Sequence, residues 1–299
     1  FKQMKKPNFL IVGAAKSGTT SLFHYLRQHP AVFMPDFKEP QYFVHSKIQG
    51  RLHKYITKRE DYLNLFSNAH QQCVGEASVF YLYFYKEAIA NINKELGENV
   101  KIIIILREPV SRTVSAYEHV LRNNIKEQLS FTDALAAEEG RLEREQDLTP
   151  MVMYKSMSMY ADAVKAFQEA FQDVHITLYD DFQTSPKQCI DQIFEFLGLE
   201  SSEEIDYLTR HNIGGWQWEN KKVKQLALSD GFFKKIVRLT VPKFLRKYMF
   251  KKLKSKATDV HKIAISKETK NELSQFFQED IHTLEELINR KLTAWYDVA

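Results

Sequence analysis

"NFLIVGAAKSGTTSL" (Asn8–Leu22) decides how the chain is read. The apolar run Phe9–Val12 shows no polar alternation, so it suits a strand buried on both faces. A glycine turn follows, then residues that form helix. Such a turn aims backbone N–H groups and the positive end of the helix at one spot, where an anion binds. Gly13 and Gly18 keep the glycine spacing of the Walker loop, G-x-x-x-x-G-K-[ST]. Thr19, however, stands where that loop has its lysine, and the lysine sits inside the turn as Lys16. Ser17, Thr19 and Thr20 add hydroxyl donors.

Outward from this stretch, strand-like and helix-like segments alternate. Helices are expected over Ser17–Gln28, Lys58–Ala69, Lys86–Leu96, Pro109–Asn124, Ser130–Glu145, Ser158–Phe171, Ser185–Leu199 and Lys267–Arg290. Val100–Leu106 is nearly all apolar and β-branched, as a central parallel strand should be. Val174–Asp180 reads as a further strand, and Gln72–Phe80 as a brief one ending near Gly75. The proline-punctuated His29–Phe43 reads as loop. The alternation predicts an α/β protein. We expect a P-loop-like three-layer fold, with a central parallel sheet flanked by helices and a helical C-terminal extension, and residues 1–299 as a single domain.

With 44% hydrophobic and 27% charged residues, the 299-residue chain can bury a sizeable core. A net charge of +4 suits an anionic ligand but is too small to argue for nucleic acid. Cys73 and Cys189 offer no metal cluster and read as buried free thiols rather than a disulfide. No run reaches the roughly 18–20 apolar residues of a membrane span. The expected location is cytoplasmic, with a luminal catalytic domain read without its anchor as the alternative. The chain starts on Phe1, not Met, which leaves room for a domain of a longer protein.

A Walker ATPase holds Mg²⁺ partly through an aspartate at the end of a neighbouring strand. Here the strand Lys101–Leu106 ends in Arg107. A guanidinium binds anions and repels metal, so the site reads as one that holds phosphates with protein cations and no metal. Ser115 follows eight residues later, about two turns up the next helix. Arg107 can aim a bidentate fork at a phosphate while Ser115 donates from the helix. Arg112 reads as pointing outward.

Together, the Lys16 loop and the Arg107…Ser115 pair resemble the sulfotransferases that use 3′-phosphoadenosine 5′-phosphosulfate (PAPS). The branch with heparan-sulfate-type enzymes and bacterial relatives is the most similar. The resemblance implies PAPS as co-substrate and adenosine 3′,5′-bisphosphate as product. It implies that Lys16, Ser17, Gly18, Thr19 and Thr20 hold the 5′-phosphosulfate, and Arg107 and Ser115 the 3′-phosphate. "KEPQYF" (Lys38–Phe43) and "GEASVFY" (Gly75–Tyr81) resemble segments that follow the loop in that branch. By that match Glu76 is the general base for the acceptor hydroxyl and Lys38 faces the sulfuryl group. His119 matches a histidine near the acceptor and is the other candidate base. In "HNIGGWQWENKKVKQL" (His211–Leu226), Gly215, Lys221 and Lys222 are candidates for a late loop that covers the nucleotide. The implied acceptor is a saccharide, a small alcohol or the β-hydroxyl of a carrier-bound acyl chain, the last with a carrier protein as partner. A P-loop protein that hydrolyses nucleoside triphosphates through a degenerate loop is the alternative.

Overall fold

The computed structural model describes residues 5–123, 126–207 and 265–296. Strand β1 (Phe9–Gly13) runs into α1 (Thr19–Leu26) and then the two-residue β2 (Val32–Phe33). Next come α2 (His45–Ile48), α3 (Arg59–Asn64), β3 (Cys73–Ala77) and α4 (Tyr85–Leu96). Strand β4 (Lys101–Leu106) leads into α5 (Pro109–Asn123), followed by α6 (Phe131–Ala136), α7 (Arg141–Arg144) and α8 (Ala161–Ala170). Strand β5 (Val174–Leu178), α9 (Tyr179–Thr184) and α10 (Pro186–Leu197) precede α11 (Lys267–Ile288) near the C-terminus.

The five strands form one sheet in the order β2-β3-β1-β4-β5, every pairing parallel. β1 is therefore hydrogen-bonded on both edges and covered on both faces, which is why its residues are apolar without alternation. Successive side chains still go to opposite layers. Leu10, Val12, Ile102 and Ile104 join the layer of α4, α5, α8 and α11. Phe9, Ile11, Ile103 and Ile105 join the layer of α1 and α10. The expected three-layer α/β arrangement is what the chain forms.

Several local expectations change. β3 does not stop near Gly75. That glycine lies opposite Phe9, and a Cβ on it would sit 2.2 Å from the Phe9 ring, so the missing side chain makes room for the central strand and the strand goes on to Ala77. The helix expected over Ser130–Glu145 is broken into α6 and α7 by Gly140, whose φ of 62° is left-handed. Just before the break, the buried Glu138 accepts the backbone N–H groups of Lys155 and Ser156, each at 2.7 Å. The strand expected over Val174–Asp180 ends at Leu178, and Tyr179 opens a helix. Within the stretch read as loop, Val32 and Phe33 pair with Cys73 and Val74 as an edge strand. Cys73 and Cys189 are buried free thiols.

α11 is built into the fold. Leu273, Phe277, Ile281 and Leu284 enter the core, and Asp280 accepts the N–H groups of Tyr160 (2.8 Å) and Ala161 (3.0 Å) at the start of α8. A carboxylate on two otherwise orphaned N–H groups is a cap supplied from a distant part of the chain. Asp280→Ala is expected to cost about 1–2 kcal/mol. It should be read as a lower urea midpoint at unchanged m-value, with Asp280→Asn losing less.

Candidate active site

The sheet order places the β1–α1 turn where the topology switches. β1 has β3 on one side and β4 on the other, and such crevices at the carboxyl ends of strands are where α/β sheets bind ligands. The turn is left-handed at Lys16 (φ 71°) and again at Gly18 (φ 90°). At Gly18 a side chain would meet the Tyr179 ring at 2.9 Å, so glycine is required by space as well as by φ. Ser17 is fully buried, and its hydroxyl has no hydrogen-bond partner among the described residues. The first N–H groups of α1 have no partner within the helix. An orphaned buried donor beside a helix N-terminus and a lysine is the donor set an anion completes.

Arg107 and Arg112 hold two consecutive carbonyls of this turn. Arg107, at the end of β4, donates through Nη1 to the Lys16 carbonyl (3.2 Å), with its guanidinium 4.9 Å from the Tyr179 ring centroid. Glu108 is not its partner. That carboxylate accepts the N–H groups of Val110 and Ser111, each at 2.6 Å, at the start of α5. Arg112, read from sequence as outward-facing, is fully buried. It donates through Nε to the Ala15 carbonyl (3.1 Å), and through Nη1 to the Tyr154 carbonyl (3.0 Å) and Ser158 Oγ (3.1 Å). Burial pushes its guanidinium down to about 10.

Arg112, Ser115, His119 and Arg122 follow one another at helical spacing, so α5 presents a single polar stripe. Lys16 Nζ lies 3.2 Å from His119 Nδ1. Burial above all, and then Arg122, Arg107 and Arg112, push Lys16 down to about 8, while Glu39 acts the other way. Burial and then the Lys16 charge push His119 down to about 3. The imidazole is therefore neutral at neutral pH. With Nδ1 accepting from the ammonium, the hydrogen-bond network assigns its proton to Nε2.

Lys38 and Glu39 form an ion pair at 2.6 Å, and Gln41 Nε2 reaches Glu39 at 3.4 Å. The Glu39 side chain is 37% exposed. Glu76 is placed quite differently from expectation. It has no exposed surface, and its carboxylate accepts from Tyr81 (2.8 Å), Ser78 (2.8 Å) and Tyr62 (3.2 Å). Burial raises it to about 7 against the pull of those three hydrogen bonds. Among the described residues no hydrogen bond joins Glu76 to Lys16, Lys38 or His119.

The structure thus brings together Lys16, Ser17, Gly18, Thr19, Thr20, Arg107 and His119, with Ser115 between Arg112 and His119 on α5 and Lys38 tied to Glu39. Gly215, Lys221 and Lys222 lie outside the described residues. Sequence reasoning misdirected Arg112 and missed Arg122 and Glu39. The first two were signalled by their spacing from Ser115 and His119, and the third by its place in the same "KEPQYF" segment as Lys38.

We expect His119 to stay neutral from pH 5 to 8 in a ¹H–¹⁵N NMR titration, with Nε2 protonated. Lys16→Ala removes a neighbouring positive charge and so should raise its midpoint. Burial, the larger cause, should still hold it below an ordinary histidine.

The family described as "Sulfotransferase domain" matches residues 6–285. The "Membrane-associated sulfotransferase kil1" of Dictyostelium discoideum is 37% identical over 111 residues, which is 37% of this chain and 22% of that protein. The human "Bifunctional heparan sulfate N-deacetylase/N-sulfotransferase 3" is 26% identical over 243 residues, covering 75% of this chain and 26% of that protein. The chain thus spans about a quarter of the length of these curated relatives. The crystal structure of a sulfotransferase from Alicyclobacillus acidocaldarius superposes with a TM-score of 0.72 at 29% identity, over 97% of this chain and 99% of that one. No helix among the described residues is long and apolar enough to cross a membrane.

Proposed function

The chain belongs to the sulfotransferase family, and from that premise we propose that it is an enzyme moving a sulfo group from PAPS to an acceptor hydroxyl. Bound PAPS supplies an activated sulfuryl group on a phosphate leaving group, so the protein has to place charges and remove one proton. The observation that carries the reading is the buried Ser17 hydroxyl, without a partner among the described residues, beside a Lys16 ammonium whose hydrogen-bond partner there is a neutral imidazole. These residues fit a phosphate group.

We assign Lys16, Ser17, Gly18, Thr19 and Thr20 to the 5′-phosphosulfate and Arg107 with Ser115 to the 3′-phosphate. Gly215, Lys221 and Lys222 remain candidates for the nucleotide's far side. In a poorly hydrated site the Lys16 charge counts for more than in water. An anion there draws its proton affinity back up, so Lys16 is fully charged when the site is filled. His119 Nδ1 holds the ammonium in the ligand-free protein and positions it at the turn.

The proton of the acceptor needs a carboxylate or imidazole within reach. We assign that role to Glu39, since it is partly exposed, paired with Lys38 and felt electrostatically by Lys16. Glu76, the residue suggested by the sequence pattern, is enclosed by its three donors. The name of the human relative supports a saccharide acceptor, with a small alcohol or a carrier-bound acyl chain as the other classes to screen. We read residues 1–299 as one sulfotransferase domain, because α11 packs on α8 and α5.

Thermal shift tests the reading. Adenosine 3′,5′-bisphosphate should raise the melting temperature, by mass action on the folded state, and ATP–Mg should not. The reverse result would overturn it. Arg107→Ala should weaken bisphosphate binding about 10–100-fold, the worth of one charge-assisted hydrogen-bonded contact. With ³⁵S-labelled PAPS and a panel of saccharide acceptors, Glu39→Gln should lower turnover about 10²–10⁴-fold while leaving bisphosphate affinity intact.

A further inference from the structure

Glu76 is fully buried and bound by three hydroxyls, yet the chemistry proposed above does not use it. Each of its donors, followed one step further, arrives at the same loop. Ser78 Oγ donates to Glu76 Oε2 (2.8 Å) and accepts the Gln41 N–H (3.0 Å). Tyr81 Oη donates to Glu76 Oε1 (2.8 Å) and accepts the Phe43 N–H (3.4 Å). Tyr62 Oη donates to Glu76 Oε1 (3.2 Å), and its ring stacks on Tyr42 with centroids 4.4 Å apart and planes 12° apart. Three successive residues, Gln41, Tyr42 and Phe43, are thus each fixed by an arm that ends on one carboxylate.

That loop needs fixing. Glu39 (φ 63°) and Gln41 (φ 51°) are both non-glycine residues in the left-handed region. Such residues are strained and persist only where the surroundings over-determine them. Other ties hold the same segment: Glu39 N–H to the Ala77 carbonyl (3.0 Å), Ile56 N–H to the Pro40 carbonyl (2.9 Å) and Asn91 Nδ2 to the Phe43 carbonyl (2.7 Å). Among the described residues, only the Glu76 arms reach the N–H groups of Gln41 and Phe43. A hydroxyl that donates to a carboxylate becomes a better acceptor for those N–H groups, since chained hydrogen bonds polarise one another.

We infer that Glu76 is a positioning residue. Through Ser78, Tyr81 and Tyr62 it sets the backbone of Gln41–Phe43, and so the placement of the Lys38–Glu39 ion pair that immediately precedes it. The effect on turnover rests on the sulfotransferase reading, whereas the anchoring of the loop does not.

Hydrogen exchange read by mass spectrometry on the ligand-free chain tests the anchoring. In Glu76→Ala, exchange in a peptide covering 38–44 should rise at least tenfold, with β4 and α1 unchanged. The Ser78→Ala/Tyr81→Phe double variant carries the same test should Glu76→Ala fail to fold. Glu76→Gln keeps an acceptor oxygen for two hydroxyls and can donate to Ser78, which still accepts from Gln41, so it should restore most of the protection. Steady-state kinetics, with ³⁵S-labelled PAPS and O-desulfated, N-acetylated heparan sulfate as probe acceptor, whose free acceptor groups are hydroxyls, test the consequence. The Ala and double variants should lose about 10–100-fold in kcat at unchanged KM for PAPS. Combining them should cost little more, because they cut one pathway. Unchanged loop exchange in a folded Glu76→Ala would overturn the inference. So would a Glu76→Gln as inactive as Glu39→Gln with a protected loop, since Glu76 would then be the reacting base. A wild-type chain that neither binds adenosine 3′,5′-bisphosphate nor turns over would defeat the sulfotransferase reading alone, and the exchange result would still decide the anchoring.

Discussion

Arg112 carries its charge into the interior with no carboxylate in hydrogen-bond contact among the described residues, and the site is arranged around that fact. A buried guanidinium is tolerated where its donors are occupied. Here they are taken by the Ala15 and Tyr154 carbonyls, the Ser158 hydroxyl and the Met151 sulfur. The same contacts join the β1–α1 turn to α5 and to the segment before α8. With Arg107 on the next carbonyl, the turn is held from the β4–α5 side by two rigid forks. Of the other cations, Arg122 pairs with Glu118 (3.9 Å), while Lys16 has no carboxylate in contact among the described residues. Lys16 feels Arg122, Arg107 and Arg112 as repulsion and only Glu39 as relief. An anion at the turn relieves all of them together, so binding and local stability are coupled.

The Lys16–His119 contact shows how the ligand-free protein lives with this excess. A neutral imidazole accepts from the ammonium without adding charge, and a carboxylate in its place would compete with the anion. Desolvation does the larger part of keeping His119 neutral, and the lysine adds to it. His119 is thus better suited to holding the ammonium than to taking a proton while Lys16 remains charged beside it.

Much of this was legible in the sequence, in unequal degrees. β1, β4 and α5 announce themselves, because two-sided burial demands unbroken apolar runs and an amphipathic helix repeats at three and four residues. The direction of Arg112 was available from the same periodicity, since it stands three residues before Ser115, the expected phosphate donor on the same helix. The break at Gly140 goes with buried partners from elsewhere in the chain, the Lys155 and Ser156 N–H groups for Glu138 and the Glu127 carboxylate (2.8 Å) for Arg141, and no local pattern reveals those. The proposed preference for Glu39 over Glu76 could not be drawn from the sequence pattern alone. Both sit in motif-like segments with an acid and aromatic neighbours. Only the register of β3 against β1, Glu76 beside Leu10, sends that side chain into the core layer with Tyr62 and Tyr81.

The register also divides the site electrically. Cations come from the β1–α1 turn, β4 and α5: Lys16, Arg107, Arg112 and Arg122. The acids Glu39 and Glu76 come from β3 and the loop that leads toward it, on the other side of β1. On the proposed reading, the nucleotide's negative charge is met on the first side and the acceptor's proton leaves on the second. Lys16 sits at the boundary, within the field of both groups. A parallel sheet makes this separation simple, because each strand delivers its loop to the same edge and a neighbouring strand determines which charges that loop meets. The buried carboxylate that orders the acidic side can therefore stand away from the reacting atoms and still decide what faces them.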